Sequence, residues 1–150
     1  MSLNRADVIR HYNQLCKVLA LEPRWVVLSA DAALVMLELR KHTDGLDVDI
    51  PVDDYNKVLQ RKPEQQGLTG AFAAFDGITD LHCVPKDLTY FMELMRIDGV
   101  YVYSPARLIA QKEKMIAHPD RKPEKIPQDR KDIIALKELL DKLNNLHLHD

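Results

Sequence analysis

Hydrophobic and polar residues follow two different periods along this chain, and each period predicts a different kind of element. Between Asn4 and Ala20 the apolar side chains recur three and four positions apart, which is typical of an amphipathic helix. The segment 46–50 alternates strictly between apolar residues and aspartates, which predicts a strand with one apolar face and one acidic face. An Asp-Gly pair at 76–77 separates two β-type runs and predicts a hairpin.

Shorter segments complete the predicted order of elements. Pro105 follows Ser104 at the first position of a helical segment, where the fixed φ of proline is favoured. Segment 43–45 is predicted to be a turn, because glycine at position 45 tolerates the positive φ that turns often need. The other predicted elements are strands at 25–28, 71–75, 78–84 and 99–103 and helices at 31–40, 53–62, 86–95, 104–117 and 128–146. This order lacks regular βαβ alternation and predicts an α+β (mixed α/β) fold, in which a small mixed sheet is flanked by helices and the C-terminal helices pack on it.

The composition is that of an ordinary globular domain. The chain has 150 residues, of which 46% are hydrophobic and 29% charged. We therefore expect a single domain over 1–150, with a core at about 25–103 and a helical part at about 104–146. No apolar run approaches the roughly 20 residues of a membrane-spanning helix, and the N-terminus lacks the pattern of a secretory signal. With only two cysteines, too few for a disulfide framework, we expect a cytoplasmic protein without a membrane partner.

Charge is segregated along the chain, although the formal net charge is only -2. Segment 43–54 holds five aspartates and no basic residue, whereas segment 104–131 holds eight basic and four acidic residues, a net of +4. A net charge near zero argues against a protein that coats nucleic acid non-specifically. Two explanations stay open. The segments are two unrelated solvated faces, or they form a site in which carboxylates hold a metal ion and lysines hold phosphates.

Asp47 and Asp49 are the strongest candidates for chemistry. They lie two positions apart on one predicted strand, so both carboxylates project from the same face, roughly 7 Å apart. Carboxylate oxygens suit Mg²⁺, which keeps coordination positions for phosphate oxygens. The alternative is a solvated strand face, although aspartate is disfavoured in strands and like charges on one face repel. Asp80, with His82 on the same side of the next hairpin strand, would add a third carboxylate that acts as general base for an attacking hydroxyl.

Lys112 and the basic segment around it are a second set of candidates. Lys112 falls in the middle of the apolar stripe of its predicted helix, so its ammonium group must reach solvent, pair with an acid or meet a ligand anion. A buried ion pair with Asp132 on the next helix is one interpretation, and contact with a phosphate is the other. The basic loop from Arg121 to Lys131 is either solvated or holds an RNA phosphate backbone.

In their order and spacing, these segments resemble the nucleotidyltransferase superfamily with the DNA polymerase β-type core. The resemblance is strongest to its small bacterial and phage members related to the abortive-infection AbiE-type toxins, and it spans about residues 25–140. The residues that carry it are the run Val27 to Leu34, then Arg40, Thr43 and the Asp-x-Asp strand Leu46 to Ile50, then Gly99 to Pro105 before the helix with Lys112, and Arg130 to Asp132 at the opening of the last helix.

The resemblance implies Mg²⁺-dependent transfer of a nucleoside monophosphate from an NTP to a hydroxyl acceptor, in a toxin–antitoxin-like context. The acceptor would be an RNA or tRNA end, a protein or a small molecule. Asp47 and Asp49 match the carboxylates that hold Mg²⁺, and Asp80 matches the third carboxylate, which would be a further metal ligand. Lys112 and Asp132 match a lysine and an aspartate that related toxins use near the triphosphate.

The chain departs from the family pattern in two places. Ser29 and Ala30 stand where the family has a Gly-Gly or Gly-Ser turn, whose backbone N–H groups would cradle the phosphates. Ser29 either offers its hydroxyl to a phosphate or caps the following helix, and Asp31 adds a negative charge beside it. Ala135 stands in place of a later family aspartate. The alternative to an enzyme is therefore a non-catalytic nucleotidyltransferase-fold module that binds a nucleotide or a partner protein.

Overall fold

The structure is a computed structural model, and it describes residues 2–61, 72–73, 78–85 and 93–148. By its internal contacts the chain divides into two compact units, Met1–Tyr103 and Ser104–Asp150. This division falls where the predicted core meets the predicted helical part. That the two units act as a single domain stays a prediction.

The described residues form five α-helices and six strands. Their bounds are α1 Arg5–Leu19, β1 Val27–Ser29, α2 Ala30–Met36, β2 Leu46–Pro51, α3 Val52–Arg61, β3 Phe72–Ala73, β4 Thr79–Val84, β5 Leu94–Ile97, β6 Val100–Tyr103, α4 Pro105–Ala117 and α5 Ile126–Leu148. Short 3₁₀ turns at Pro23–Trp25 and Pro123–Lys125 precede β1 and α5. The predicted mixture of helices and strands, an α+β fold, is confirmed.

All six strands of the described residues belong to one mixed sheet, in the order β3-β4-β2-β1-β6-β5. The pairs β2/β4 and β1/β6 run parallel, and the other three neighbouring pairs run antiparallel. Parallel neighbours need a long crossover connection, and α3 lies in the connection between β2 and β4. β2 therefore lies inside the sheet, with β1 on one side and β4 on the other.

Alternation along β2 sets the core of the first unit. Leu46, Val48 and Ile50 are buried, and Leu81 of β4, which pairs in register with Val48, is buried with them. The apolar stripe of α1 is also buried, as its periodicity predicts. Burying an aliphatic side chain of this size contributes about 2 kcal/mol. A shift of one residue in the pairing register of β2 would expose three such side chains. The alternation therefore fixes which face of β2 lies in the core.

Gly45 is required by a close approach and not by its backbone angle. Gly45 lies in the segment predicted as a turn, but its φ is not positive. A Cβ atom at this position would lie 2.6 Å from the carbonyl oxygen of Ile78. That oxygen accepts a hydrogen bond from the backbone N–H of Leu46 at 2.9 Å. The glycine therefore lets the chain that enters β2 pass close to the chain that enters β4.

β6 confirms the strand predicted at 99–103, but β5 and the hairpin that it forms with β6 were not predicted. The predicted helix over 86–95 is wrong at Leu94 and Met95, which lie in β5, while 86–92 fall outside the described residues. The hairpin turn is Asp98-Gly99, with φ angles of 50° and 81°. Positive φ at both central residues defines the type I′ turn that Asp-Gly favours between strands. The 76–77 turn lies outside the described residues, but β3 and β4 pair antiparallel as predicted.

The second unit is built from α4 and α5. The side chain of Ser104 accepts a hydrogen bond from the backbone N–H of Arg107, so it caps α4, and Pro105 occupies the first helical position as predicted. Leu108 of α4 and Leu136 of α5 are buried. None of the helices in the described part of the chain has the length and apolar character needed to cross a membrane.

Candidate carboxylate site on the sheet

Three of the predicted aspartates lie on one face of the sheet, on two adjacent parallel strands. In the register of β2 and β4, Asp47 is opposite Asp80 and Asp49 is opposite His82. Residues opposite each other in a sheet point to the same face, so these four side chains share one face, while Leu81 is buried on the other. The register therefore brings a third carboxylate beside the Asp-x-Asp pair.

Asp49 is buried, unlike Asp47. Asp49 is 8% exposed, whereas the side chain of Asp47 is 43% exposed. The hydroxyl of Tyr103, a fully buried residue at the end of β6, donates a hydrogen bond to Asp49 Oδ2 at 2.7 Å. A carboxylate removed from water is costly unless it is hydrogen-bonded or paired, so this contact stabilises Asp49 in the fold.

His82 lies against the same carboxylates. Its Nε2 is 3.4 Å from Asp47 Oδ1, across the β2/β4 pair. The hydrogen bond with Asp47 raises the pKa of His82. Partial burial opposes that effect, and the nearby charges of Asp47, Asp49 and Asp80 raise the pKa further. The imidazolium form of His82 is thereby favoured beside these carboxylates.

Replacing Asp47 with asparagine is expected to lower the pKa of His82, because it weakens the largest of the effects that raise it. The folded-state pKa of His82 lies above its ordinary value of 6.5. The contact between His82 and Asp47 therefore contributes its full stabilisation below about pH 6.5. This stabilisation is lost as the pH rises through the folded-state pKa of His82. NMR titration of the imidazole protons measures the shift. Asp53→Asn, at the exposed start of α3, is the control, and an identical His82 titration in both variants would contradict the contact.

An open cleft of about 340 Å³ lies beside these carboxylates. Its lining residues are Asp31, Thr43, Asp44, Gly45, Leu46, Asp47, Ile78 and Asp80. Arg40 Nη1 lies 2.7 Å from the carboxylate of Asp31, so the charge of Asp31 is balanced at this rim. Asp44, Asp47 and Asp80 still give the cleft an acidic lining, which attracts cations.

Ser29 and Ala30 connect β1 to α2 beside Asp47. Ser29 Oγ donates a hydrogen bond to the carbonyl oxygen of Asp47 at 3.4 Å and makes no capping bond to α2. Ala30 has a φ of 51°. This left-handed conformation costs an L-residue about 1–2 kcal/mol, whereas glycine adopts it freely. The backbone at Ala30 is therefore one that favours glycine.

Ala30 differs from the other described non-glycine residues with a positive φ, which are Ala20, Glu38 and Asp98. Ala20 and Glu38 follow α1 and α2 and close those helices with Schellman-type backbone hydrogen bonds. Asp98 lies in the β5–β6 turn. Each of the three thus ends an element, whereas Ala30 begins one.

Replacing Ala30 with glycine is expected to raise the free energy of unfolding by about 1 kcal/mol, because it relieves the backbone penalty at the cost of some unfolded-state entropy. Urea-induced unfolding followed by circular dichroism measures the change. Ala20→Gly relieves the same penalty after α1 and is the matched comparison, with a similar gain expected. A loss of stability in Ala30→Gly alone would show that the methyl group makes packing contacts worth more than the backbone penalty.

Lys112 lies in a buried cluster of charged side chains in the second unit. Its Nζ is 3.1 Å from Asp132 Oδ2 and 3.3 Å from Asp129 Oδ1. Arg121 donates to both oxygens of Asp129, at 2.8 and 2.7 Å, and Gln128 donates to Asp132 at 2.9 Å. The ion pair between Lys112 and Asp132 is confirmed. With Arg121 and Asp129 it forms a cluster, called here the buried ion cluster, whose positive and negative charges balance.

Three residues that make these contacts were not predicted as site residues from the sequence: Tyr103, Arg121 and Asp129. Asp129 stands three positions before Asp132 on α5, so the two share a helix face, and this spacing is a signal that could have found it. No local pattern marks Tyr103, because its contact with Asp49 joins residues 54 positions apart.

The predicted site residues fall into two groups. Ser29, Ala30, Asp47, Asp49 and Asp80 lie in the first unit, where the sheet brings them near one another. Lys112 and Asp132 lie in the second unit and contact each other. Among the residues that the structure describes, no three His, Cys, Asp or Glu side chains come close enough together to hold a metal ion.

No protein-family model, curated protein sequence or solved structure matches this chain. The family assignment therefore stays a prediction, supported by the residues that resemble the nucleotidyltransferase pattern. The structure shows the α+β fold, the carboxylates on one face of the sheet and the acidic cleft beside them.

Proposed function

We propose that this protein transfers a nucleoside monophosphate from an NTP to a hydroxyl group, with Mg²⁺ held by carboxylates of the sheet. The observation that most supports this is the parallel register of β2 and β4, which sets Asp80 opposite Asp47 and beside Asp49 on one sheet face. Acids placed together on a sheet repel one another unless a cation neutralises them. Their hard carboxylate oxygens are of the kind that Mg²⁺ prefers, and the adjoining cleft leaves room for phosphate groups.

In the proposed reaction, Asp47 and Asp49 hold the ion and Asp80 accepts the proton of the acceptor hydroxyl. Bound Mg²⁺ would neutralise negative charge on the transferred phosphoryl group. The hydroxyl oxygen forms a bond to the α-phosphorus, the bond from that phosphorus to the bridging oxygen breaks, and pyrophosphate leaves. Asp80 is exposed and lines the cleft, so a hydroxyl group that enters the cleft can approach it.

The phosphates themselves have two proposed sets of contacts. Ser29 and the backbone at Ala30 adjoin Asp47 and have the conformation of a glycine-type turn. The proposal that Lys112 and Asp132 also bind the triphosphate rests on the resemblance alone. The acceptor is proposed to be an RNA or tRNA end, a protein or a small molecule. Both cysteines are free thiols, which agrees with a cytoplasmic, NTP-containing location.

Thermal unfolding with and without Mg²⁺ and each NTP tests nucleotide binding. At a nucleotide concentration of about 100 times Kd, binding adds about 2.7 kcal/mol of stability, which for a chain of this size is a rise in Tm of about 5–10 °C. We expect this rise to require Mg²⁺. Incubation with α-labelled NTPs and total RNA or protein then tests transfer. Label that appears on an acceptor without Mg²⁺, or no Tm change with any nucleotide, would contradict the proposal.

The second candidate is a non-catalytic module that binds a nucleotide or a partner protein. Two observations favour it: alanine occupies the left-handed position at 30, and Arg40 is engaged with Asp31 beside the cleft. In that case we expect the rise in Tm without any labelled product, or a partner protein that raises Tm when no nucleotide does.

A further inference from the structure

The contact between Tyr103 and Asp49 joins two strands that are not neighbours. β1 lies between β2 and β6 in the sheet, so the Tyr103 hydroxyl reaches across one strand to meet Asp49 Oδ2 at 2.7 Å. Tyr103 has no solvent-exposed surface, and Asp49 is 8% exposed. The hydrogen bond is therefore shielded from water, where a bond to a charged acceptor is stronger than at the surface.

Stability alone does not explain why a carboxylate is buried at this position. Removing a carboxylate from water is costly, and a hydrogen bond to a charged group offsets only part of that cost. An apolar pair at 49 and 103 would avoid that cost. The presence of a carboxylate at position 49 therefore points to a role other than stability.

The Tyr103 hydroxyl also restricts the orientation of the Asp49 carboxylate. The Cβ–Cγ torsion of aspartate is broad and poorly restricted by itself. A short hydrogen bond to one oxygen from a ring that is fully packed restricts this torsion, so the carboxylate plane is held before any ligand arrives. Partners of this kind behind a metal ligand typically contribute 10–100-fold to metal affinity.

We propose that Tyr103 is a positioning residue that orients the Asp49 carboxylate for the divalent cation. This inference rests on the proposed function, in which Asp49 is a ligand. Tyr103 itself contacts neither the cation nor the nucleotide. Its role is to hold the Asp49 carboxylate in one orientation through the hydrogen bond from its hydroxyl group.

Tyr103→Phe removes that oxygen and keeps the ring. Binding of Mn²⁺ to the nucleotide-free protein, measured by electron paramagnetic resonance, is expected to weaken by about 10–100-fold. The Mg²⁺ concentration for half-maximal transfer should rise with it. Tyr101→Phe is the matched control, with the same change two positions earlier on β6. The ring of Tyr101 lies over Arg96, and its backbone N–H donates to Tyr12, and neither contact uses the Tyr101 hydroxyl.

The outcomes separate this inference from the function on which it rests. A Mn²⁺ affinity that is unchanged in Tyr103→Phe, in a wild-type protein that binds the ion, overturns the positioning role alone. A reduced Tm with an unchanged Mg²⁺ requirement shows a structural role and also overturns it. If the wild-type protein binds no Mn²⁺ and transfers no label, the proposed function fails and the inference fails with it.

Discussion

Replacing Asp129 with asparagine is expected to reduce the free energy of unfolding by about 3–5 kcal/mol. Asp129 is 2% exposed, and Lys112 and Arg121 both bind its carboxylate. Asparagine keeps a similar shape but removes the negative charge, so it leaves buried positive charge uncompensated. Natural domains have about 5–15 kcal/mol of stability, so this one change would remove a large fraction of it.

Urea-induced unfolding followed by far-ultraviolet circular dichroism measures this loss. Asp120→Asn is the matched control. Its side chain is 90% exposed in the same loop region, and a surface change of this kind should alter stability by less than about 0.5 kcal/mol. Equal stability of the two variants would mean that the buried ion cluster does not hold the second unit together.

The same cluster gives a pH dependence of known sign. Burial acts to raise the pKa of Asp129, but the hydrogen bonds and charges of Arg121 and Lys112 outweigh it, and the pKa is lowered from its ordinary value of 3.8. A lowered folded-state pKa contributes stability that is present above the unfolded pKa and is lost as pH falls through the folded pKa. The stability difference between the wild type and Asp129→Asn should therefore be full at pH 7 and shrink below about pH 4.

Asp47→Asn and Asp49→Asn are expected to lower the rate of nucleotidyl transfer by a factor on the order of 100–1,000 each, because each removes a proposed Mg²⁺ ligand and several kcal/mol of charge stabilisation in the transition state. The measurement is the initial rate of label transfer at saturating Mg²⁺ and NTP. Neither variant should lose the fold, since asparagine preserves the shape of each side chain.

Asp53→Asn is the control for both changes. Asp53 belongs to the same acidic segment but is exposed at the start of α3, so we expect wild-type rates. Asp49→Asn should also retain the hydrogen bond from Tyr103, because its amide oxygen can replace Oδ2 as acceptor. Transfer at the wild-type rate in Asp47→Asn and Asp49→Asn together would remove both residues from the proposed chemistry.

The part of the fold that depends on local pattern was predictable. Strict alternation at 46–50 indicated a strand, and proline after serine at 104–105 indicated the start of a helix, and both are present. The helix predicted over 86–95 is wrong at its end because composition favoured a helix there. The Asp98-Gly99 pair carried the same hairpin signal as the pair at 76–77.

The candidate site was predictable in its residue types but not in its geometry. The acidic alternation selected Asp47 and Asp49, whereas the parallel register with Asp80 depends on a crossover that no local pattern specifies. Asp49 is buried and accepts a hydrogen bond from Tyr103, a residue two strands away in the sheet. Contacts of this kind arise from tertiary packing, so a sequence pattern can name the acids without showing which of them is shielded from water.

The buried ion cluster also constrains which substitutions this protein can accept during evolution. A neutral substitution at either Arg121 or Asp129 alone leaves the buried ion cluster with an excess charge of one sign, which selection would remove. Joint replacement of the two by apolar residues of similar size also removes a desolvation cost and can be neutral. Homologues of this chain should therefore keep both residues or lack both, so the two positions should appear as a correlated pair among related sequences.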